Sequence, residues 1–449
     1  MTALALCILA LGITYWAGKR SLGQGVVALL VFGYFYGIVR ANLETAFAHF
    51  IFDAALVGLF LSQKWTSSQP SEKIRLAVLR AWTVVLIAWP MVLILMPFQP
   101  LLVSLVGLRG SVFFLPMLLL GARLAEKELL QVSAGLAVLN LIAMGFAAAE
   151  YFLGISKFYP INSVTLIIYA SRDVAGGFSR IPAIFTNAHA YGGTSVASIP
   201  YLIGGWERGA TRKMRLLAML GIVAAFLGVL MSATRVNFVT GVAMLAFTMI
   251  GGRMKASRWV AFAVVVAIIG YFAVTNERFQ RFKSLSDTES VGDRIHGSVN
   301  RSFFEVLADH PMGNGLGGGG TSIPYFLEGQ VKNPIATENE YTRILCEQGL
   351  IGLILWICFV IWYLTRAGAA FAKGPWMTSR RAVWGLSSFV LCTSWIGNGF
   401  LTSIPGTAIA LLGIGWTAVT MLAKNPVNDG ARMSNMNLQR ERPRILQTS

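Results

Sequence analysis

Along this chain, continuous apolar stretches alternate with short polar connections. Most stretches run for about 16–22 residues, the length that crosses the hydrocarbon core of a bilayer as a helix. They are apolar throughout rather than at every second position, so they predict helices and not the strands of a barrel. The pattern places spans at 3–17, 21–39, 43–61, 76–97, 100–122, 129–150, 189–206, 213–231, 235–250, 258–275, 343–365, 382–400 and 404–422. The expected fold is an all-α polytopic membrane protein of about 12–13 transmembrane helices. One integral membrane domain is expected over 1–422, with a tail over 423–449 that lacks periodicity and reads as disordered. Pro90 and Pro116 fall inside predicted helices and are expected to kink them. The first run, Leu4 to Ala17, has no basic leader before it and no small-residue cleavage pattern after it. It reads as a retained span.

Two polar interruptions stand apart by length, 151–188 and 276–341. The short connections 207–215, 251–258 and 366–381 together hold eleven Lys/Arg and one acidic residue, which assigns them to the cytoplasmic side. The tail from Ala423 adds further basic residues and is expected on the same side. Counting spans then puts both long loops outside. The second carries nine acidic and six basic residues and has no cytoplasmic bias.

Composition narrows the classes. The chain is 55% hydrophobic and only 13% charged, so its formal charge of +17 is not that of a basic nucleic-acid binder. The basic residues concentrate in short connections and the tail, as membrane topology requires, and no nucleic-acid partner is expected. Four Cys lie in or at the edges of apolar runs without metal or disulfide spacing, and four scattered His form no zinc motif. No metal site and no cofactor are expected.

Polar residues near the outer face are the candidates for chemistry. Arg235, in MSATRVNF, lies at the junction of two spans with almost no linker. A guanidinium at that depth either snorkels to lipid phosphate or lines a site for an anion. Arg109, in LVGLRGSVFF, interrupts an apolar span, where it either serves function or sits in a structural ion pair. The first outer loop offers Arg172 and Arg180, then Asn187 and His189 at the mouth of the next span. His189 reads either as a donor to a ligand or as an interfacial cap. The second loop holds Asp293-Arg294, which open a stretch where Ile295, Val299, Phe303 and Leu307 recur at helical spacing. Pro311 ends it, and the run PMGNGLGGGG follows with Gly315 and Gly317. That run lacks the Gly-Lys-Ser/Thr of a phosphate loop, so it reads as a hinge or as a close backbone approach to a ligand. Glu338-Asn339-Glu340-Tyr341 then lead into the next span. Thr337 or Asn339 suits a helix cap, and acidic side chains suit the helix N-terminus, while a carboxylate there also suits a general base.

Taken in order, these elements resemble the bacterial O-antigen ligase and Wzy-type polysaccharide polymerase superfamily over about residues 170–425. The matching elements are Arg172 with Gly177-Phe178 and Asn187, then Thr234-Arg235, then Asp293-Arg294. Pro311 with Gly313-x-Gly315-x-Gly317 follows, and the series ends with Glu338-Asn339-Glu340-Tyr341 and Glu347-Gln348-Gly349-Leu350-Ile351-Gly352-Leu353. Ligases of the superfamily carry histidine where this chain has Glu338, which tilts the resemblance toward polymerases. The segment LLVSLVGLRGSVFFLP also looks like one in exopolysaccharide polymerases of the superfamily.

The resemblance implies a membrane glycosyltransferase of the C type, working at the periplasmic face of a bacterial inner membrane. Its donor would be a glycan on undecaprenyl pyrophosphate and its acceptor a lipid-linked repeat unit. Glu338 would act as base, Arg235 and Arg294 would hold the pyrophosphate, and Arg172 and Arg109 would assist. Asn187, His189, Asn339, Tyr341, Gly315 and Gly317 would contact substrate. Transfer would invert the anomeric centre without a metal, and the glycine-rich loop would move during turnover. A flippase and a chain-length regulator would be partners. A ligase acting on lipid A-core or protein, and a saccharide transporter, are the rival classes.

Overall fold

The computed structural model describes residues 1–65, 70–170, 180–249, 302–320, 323–335, 337, 339–395 and 400–419. Among these the chain is helical without strands: α1 (Thr2–Arg20), α2 (Leu22–Leu43), α3 (Ile51–Ser62), α4 (Pro70–Leu93), α5 (Leu101–Val112), α6 (Met117–Gly121), α7 (Glu126–Leu153), α8 (Leu166–Tyr169), α9 (Ala188–Arg208), α10 (Arg212–Met231), α11 (Arg235–Met249), α12 (Ser302–Asp309), α13 (Glu340–Thr365), α14 (Ala367–Ala370), α15 (Met377–Thr393) and α16 (Gly406–Ala418). A 3-10 turn over Ala46–Phe50 leads into α3. Residues Met1–Val419 form one compact unit. Seven segments among the described residues are long and apolar enough to cross a membrane, namely α1, α2, α4, α7, α10, α13 and α5 with α6 taken together, and α11, α16 and the Ala46–Ser62 segment are shorter apolar helices. The chain is an all-α polytopic membrane protein.

Polar caps start several of these helices. The Ser21 hydroxyl accepts from Gln24 N (3.2 Å) at α2, and Thr211 accepts from Met214 N (3.2 Å) at α10. Each cap satisfies a backbone donor that would otherwise face an apolar environment. Where the expected spans differ from the helices, backbone chemistry gives the reason. Pro97 and Pro100 end the fourth span at Leu93 and start α5 only at Leu101. Pro116 divides the fifth span into α5 and α6 rather than kinking it, whereas Pro90 stays inside α4. The span expected at 382–400 is a helix that begins at Met377 and stops at Thr393. The expected span at 258–275, the cytoplasmic connection at 251–258 and the tail lie outside the described residues.

Connections between the described helices gather at two ends. At one end Gln63 Nε2 donates to the Gly18 carbonyl (3.2 Å), and Ser21 Oγ donates to Gln131 Oε1 (3.0 Å). Arg123 bonds to the Lys64 carbonyl (2.8 Å) and pairs with Glu72 (3.2 Å). Arg380 donates to the Trp416 and Val419 carbonyls (2.9 and 2.7 Å), where a cation suits the C-terminal end of α16. The basic connections around 207–215 and 366–381 share this end.

At the other end lie the C-terminus of α2, the 94–100 turn, the 154–170 loop and the glycine-rich segment. Asn42 Nδ2 donates to the Phe158 carbonyl (3.0 Å), and His49 packs its ring on Tyr325 and Phe326. Parts of both long polar interruptions therefore pack onto the same end of α2 and its following turn. Between the ends, a buried polar chain ties three helices. Tyr34 Oη donates to Asn140 Oδ1, and Asn140 Nδ2 donates to Ser198 Oγ, both at 2.8 Å. Such paired polar contacts fix helix neighbours where lipid supplies no hydrophobic force between them.

Candidate functional site

The end opposite the basic connections collects most of the described candidate residues. α9 begins at Asn187, whose side chain accepts from Ala190 N (2.8 Å), so this asparagine is a helix cap. His189 follows on an exposed turn, with its Nε2 2.9 Å from Arg180 Nη1. Asn237, one turn into α11, donates from Nδ2 to the His189 carbonyl (3.1 Å) and to Thr234 Oγ1 (2.8 Å). Thr234 also pairs with Ser232 Oγ at 2.9 Å. The α10–α11 junction that carries Thr234-Arg235 is thereby seated against the start of α9. Arg235 is half-buried there. Arg180, one of the two arginines offered by the first loop, belongs to this group, and Arg172 lies outside the described residues. The segment ASRDVAGGFSR supplies both.

Behind this mouth, Tyr159 Oη donates to the Ala183 and Phe185 carbonyls (2.8 and 2.7 Å) and fixes the approach to Asn187. Burial, reinforced by the nearby Glu150 carboxylate, pushes the Tyr159 phenol well above its usual range, so it remains a donor.

α13 brings a second group to this end. Asn339 is fully buried, and its Oδ1 caps the helix by accepting from Thr342 N (2.7 Å). Tyr341 Oη donates to the Leu391 carbonyl (2.7 Å), and its ring lies 4.5 Å from that of Trp395. Glu340 N donates to the Ser394 carbonyl (3.0 Å). The start of α13 is thus held against the end of α15, and the Tyr341 hydroxyl is committed to protein. Glu338 and Arg294 lie outside the described residues. Of the expected amphipathic stretch, α12 is described, with Val306 buried and Phe303 packed against Trp395 at 5.1 Å.

A buried charged fork follows that the sequence reading passed over. Arg343, 1% exposed, bonds through Nε to Glu340 Oε1 (2.8 Å) and through Nη1 to Glu347 Oε2 (2.7 Å). The signal was the Glu-x-x-Arg-x-x-x-Glu spacing, which puts all three on one helix face.

Two residues past Glu347 the helix breaks. Gly349 has φ 68 and ψ −175, outside helical geometry and in a region that glycine tolerates. The groups freed by the break find partners: the Cys346 carbonyl accepts from Asn314 N (2.6 Å), the Gln348 carbonyl from Trp89 Nε1 (2.9 Å), and Leu350 N donates to the Pro311 carbonyl (3.0 Å). Irregular backbone at membrane depth needs such protein partners.

The segment that carries the glycine run supplies the Asn314 and Pro311 partners. Gly313 through Gly319 are buried. A Cβ on Gly315 would lie 2.6 Å from Phe98 Cβ, and Gly317 abuts the Val103 carbonyl. Gln99 clamps the segment, donating to the Asn314 and Lys332 carbonyls (2.9 Å each) and accepting from Lys332 N (2.8 Å). The run is a wedge between α5 and α13, and its glycines serve close packing against protein.

Arg109 is apart from both groups. Its guanidinium forms a two-pronged pair with Asp53, Nε to Oδ2 at 2.6 Å and Nη2 to Oδ1 at 2.9 Å. Among the described residues, no group of three or more His, Cys, Asp or Glu is placed to hold a metal ion.

The start of α9 is thus joined to the Thr234-Arg235 junction, while the start of α13 is joined to the end of α15. Comparison with known proteins falls on the same part of the chain. No curated protein matches it. Residues 196–357 match the family model described as O-antigen ligase, consistent with the O-antigen ligase and Wzy-type superfamily, and with the apolar helices this supports a multi-pass membrane enzyme of the ligase/polymerase type.

Proposed function

We propose that this chain is a polysaccharide polymerase. It transfers a glycan from undecaprenyl pyrophosphate to a lipid-linked repeat unit at the periplasmic face of a bacterial inner membrane. The observation that carries the proposal is that Arg180–His189 and the Thr234-Arg235 junction are joined through Asn237 beside the matched segment, which also contains the Asn339-capped start of α13. Cations at that junction suit a pyrophosphate, and the residue before the Asn339 cap is a carboxylate.

In the mechanism, Glu338 takes the proton of the acceptor hydroxyl as that oxygen attacks the anomeric carbon. Arg235 and Arg294 hold the pyrophosphate and stabilise the charge that grows on it as the glycosidic bond breaks. Arg172 adds positive charge, while Asn187 and His189 orient substrate at the mouth. Attack opposite the leaving group inverts the anomeric centre. A pyrophosphate is a good enough leaving group that two guanidiniums suffice, so the reaction proceeds without a metal. A flippase supplies the lipid-linked unit, and a chain-length regulator sets when product leaves.

The family description favours a second reading, a ligase that delivers finished glycan to lipid A-core or protein. The acceptor separates the two. Purified protein is incubated with a lipid-linked repeat alone, and with that repeat plus lipid A-core, with and without EDTA. Chain extension on the repeat alone, resistant to EDTA and lost in Glu338→Gln and Arg294→Ala, supports the polymerase. Transfer only to lipid A-core supports the ligase, and EDTA inhibition reversed by added metal overturns the metal-free mechanism.

A further inference from the structure

A second cluster of cations lies near the C-terminal end of α2. Gly33, Tyr36 and Arg40 recur at helical spacing there, and Tyr36 packs against Phe52 of α3 at 6.4 Å. Tyr36 Oη donates to the His49 carbonyl (3.1 Å), which anchors the 3-10 turn to α2. The Arg40 guanidinium lies 5.5 Å from the Tyr36 ring centroid, and both Arg40 and Arg109 are electrostatic neighbours of the Tyr36 hydroxyl. Two guanidiniums thus share one phenol.

Their charge is only half balanced. Asp53 pairs with Arg109 through both its oxygens. Among the described residues no carboxylate pairs with Arg40, and Glu44, one turn on, accepts instead from Ser163 Oγ (3.3 Å). Arg40 Nε and His49 Nε2 are both buried without a hydrogen-bond partner, in an imidazole that is 7% exposed. Buried donors left unmade are costly, which is unusual for two groups side by side. The glycine-rich segment closes the cluster from above, with Tyr325 and Phe326 ring centroids 6.0 and 5.7 Å from His49, and Phe326 is 39% exposed at the rim.

We infer that Arg40, Arg109 and His49 form an oxyanion site that takes a phosphate-type group at the end of the bundle away from the basic connections. The forked guanidiniums match phosphate oxygens, and the end of a membrane helix is the level at which lipid phosphates lie. Asp53 holds Arg109 in orientation through two hydrogen bonds. Of its residues only Arg109 was expected to assist with the pyrophosphate, and Arg40 and His49 stand outside the Glu338, Arg294 and Arg235 proposal.

The phosphate could arrive on a lipid headgroup or from water, and the two sources are separable. Native mass spectrometry of the full chain in detergent would be run with phosphatidylglycerol, with phosphatidylcholine, and with inorganic pyrophosphate. Comparison would be with Arg40→Gln, His49→Gln and, as a control at the opposite end, Arg20→Gln. Melting in detergent checks that each variant is folded. Binding of phosphatidylglycerol that weakens about tenfold in Arg40→Gln, the loss of one charge-assisted hydrogen bond, and stays unchanged in Arg20→Gln supports a lipid-borne phosphate. The same pattern with pyrophosphate supports a water-borne one. If neither probe responds to Arg40→Gln, or if Arg20→Gln weakens binding equally, the site is overturned.

Discussion

Gly107 of α5 and Gly317 of the glycine-rich segment meet backbone to backbone, so that a Cβ on Gly107 would collide with the Gly317 amide nitrogen. The contact explains why a run that looks flexible is a fixed wedge. The Gly107→Ala variant must push the segment off α5 and disturb the Gln99 clamp. Overpacking of this kind costs about 1–3 kcal/mol. Melting of purified protein should fall accordingly, and limited proteolysis should open between 311 and 335. An unchanged melt would mean that the segment is free to move, as a hinge would be.

The charged fork on α13 predicts a strong asymmetry among its members. Removing Arg343 leaves Glu340 and Glu347 buried together without their shared cation, a loss of about 3–5 kcal/mol. Replacing Glu347 by Gln keeps a hydrogen-bond acceptor and leaves Arg343 paired with Glu340, so it should cost much less. Arg343→Ala should therefore reduce the amount of folded protein in the membrane, and Glu347→Gln should not. Equal losses in the two variants would show that the fork is solvated rather than buried.

Arg109 and Asp53 allow the structural part of an intramembrane arginine to be separated from any other part. Arg109→Gln alone strands Asp53, while the double variant Asp53→Asn/Arg109→Gln leaves two neutral groups able to bond each other. Melting should recover in the double variant relative to the single. If Arg109 also touches a phosphate, ligand binding stays low in the double variant although stability returns. Recovery of both would reduce Arg109 to an ion pair.

The spans were legible because apolar length is a property of consecutive residues, and the Asn339 cap was legible because it bonds within its own turn, whereas at the start of α9 the cap is Asn187 and not the expected His189. What stayed hidden depends on partners far along the chain. Gly349 breaks α13 because the Pro311 carbonyl and Asn314 amide, more than thirty residues earlier, satisfy the groups that the break frees. The pairing of Arg109 with Asp53 crosses from α5 to α3, and local sequence carries no trace of it. Arg343 was visible as a spacing yet lay inside an apolar run, where charge draws less notice than a polar loop. For Glu338, sequence placed the residue beside the cap without distinguishing base from capping partner.

Asn339 and Glu338 give the sharpest separation of structure from chemistry, because they are adjacent and the two roles predict opposite phenotypes. Asn339 supplies the cap through Oδ1, so Asn339→Ala should lower stability by about 1 kcal/mol and reduce activity only as far as the start of α13 is displaced. Glu338 is not the cap. Glu338→Gln should leave melting within error of the parent while chain extension from a lipid-linked repeat falls by two orders of magnitude or more, the usual scale for a general base. Glu338→Asp should retain part of the rate, since it keeps the carboxylate but withdraws it by one methylene. An assay in which Glu338→Gln extends chains at the parental rate would remove this residue from the chemistry, and the proton would then have to leave through another group at the mouth, of which His189, paired to Arg180, is the described candidate.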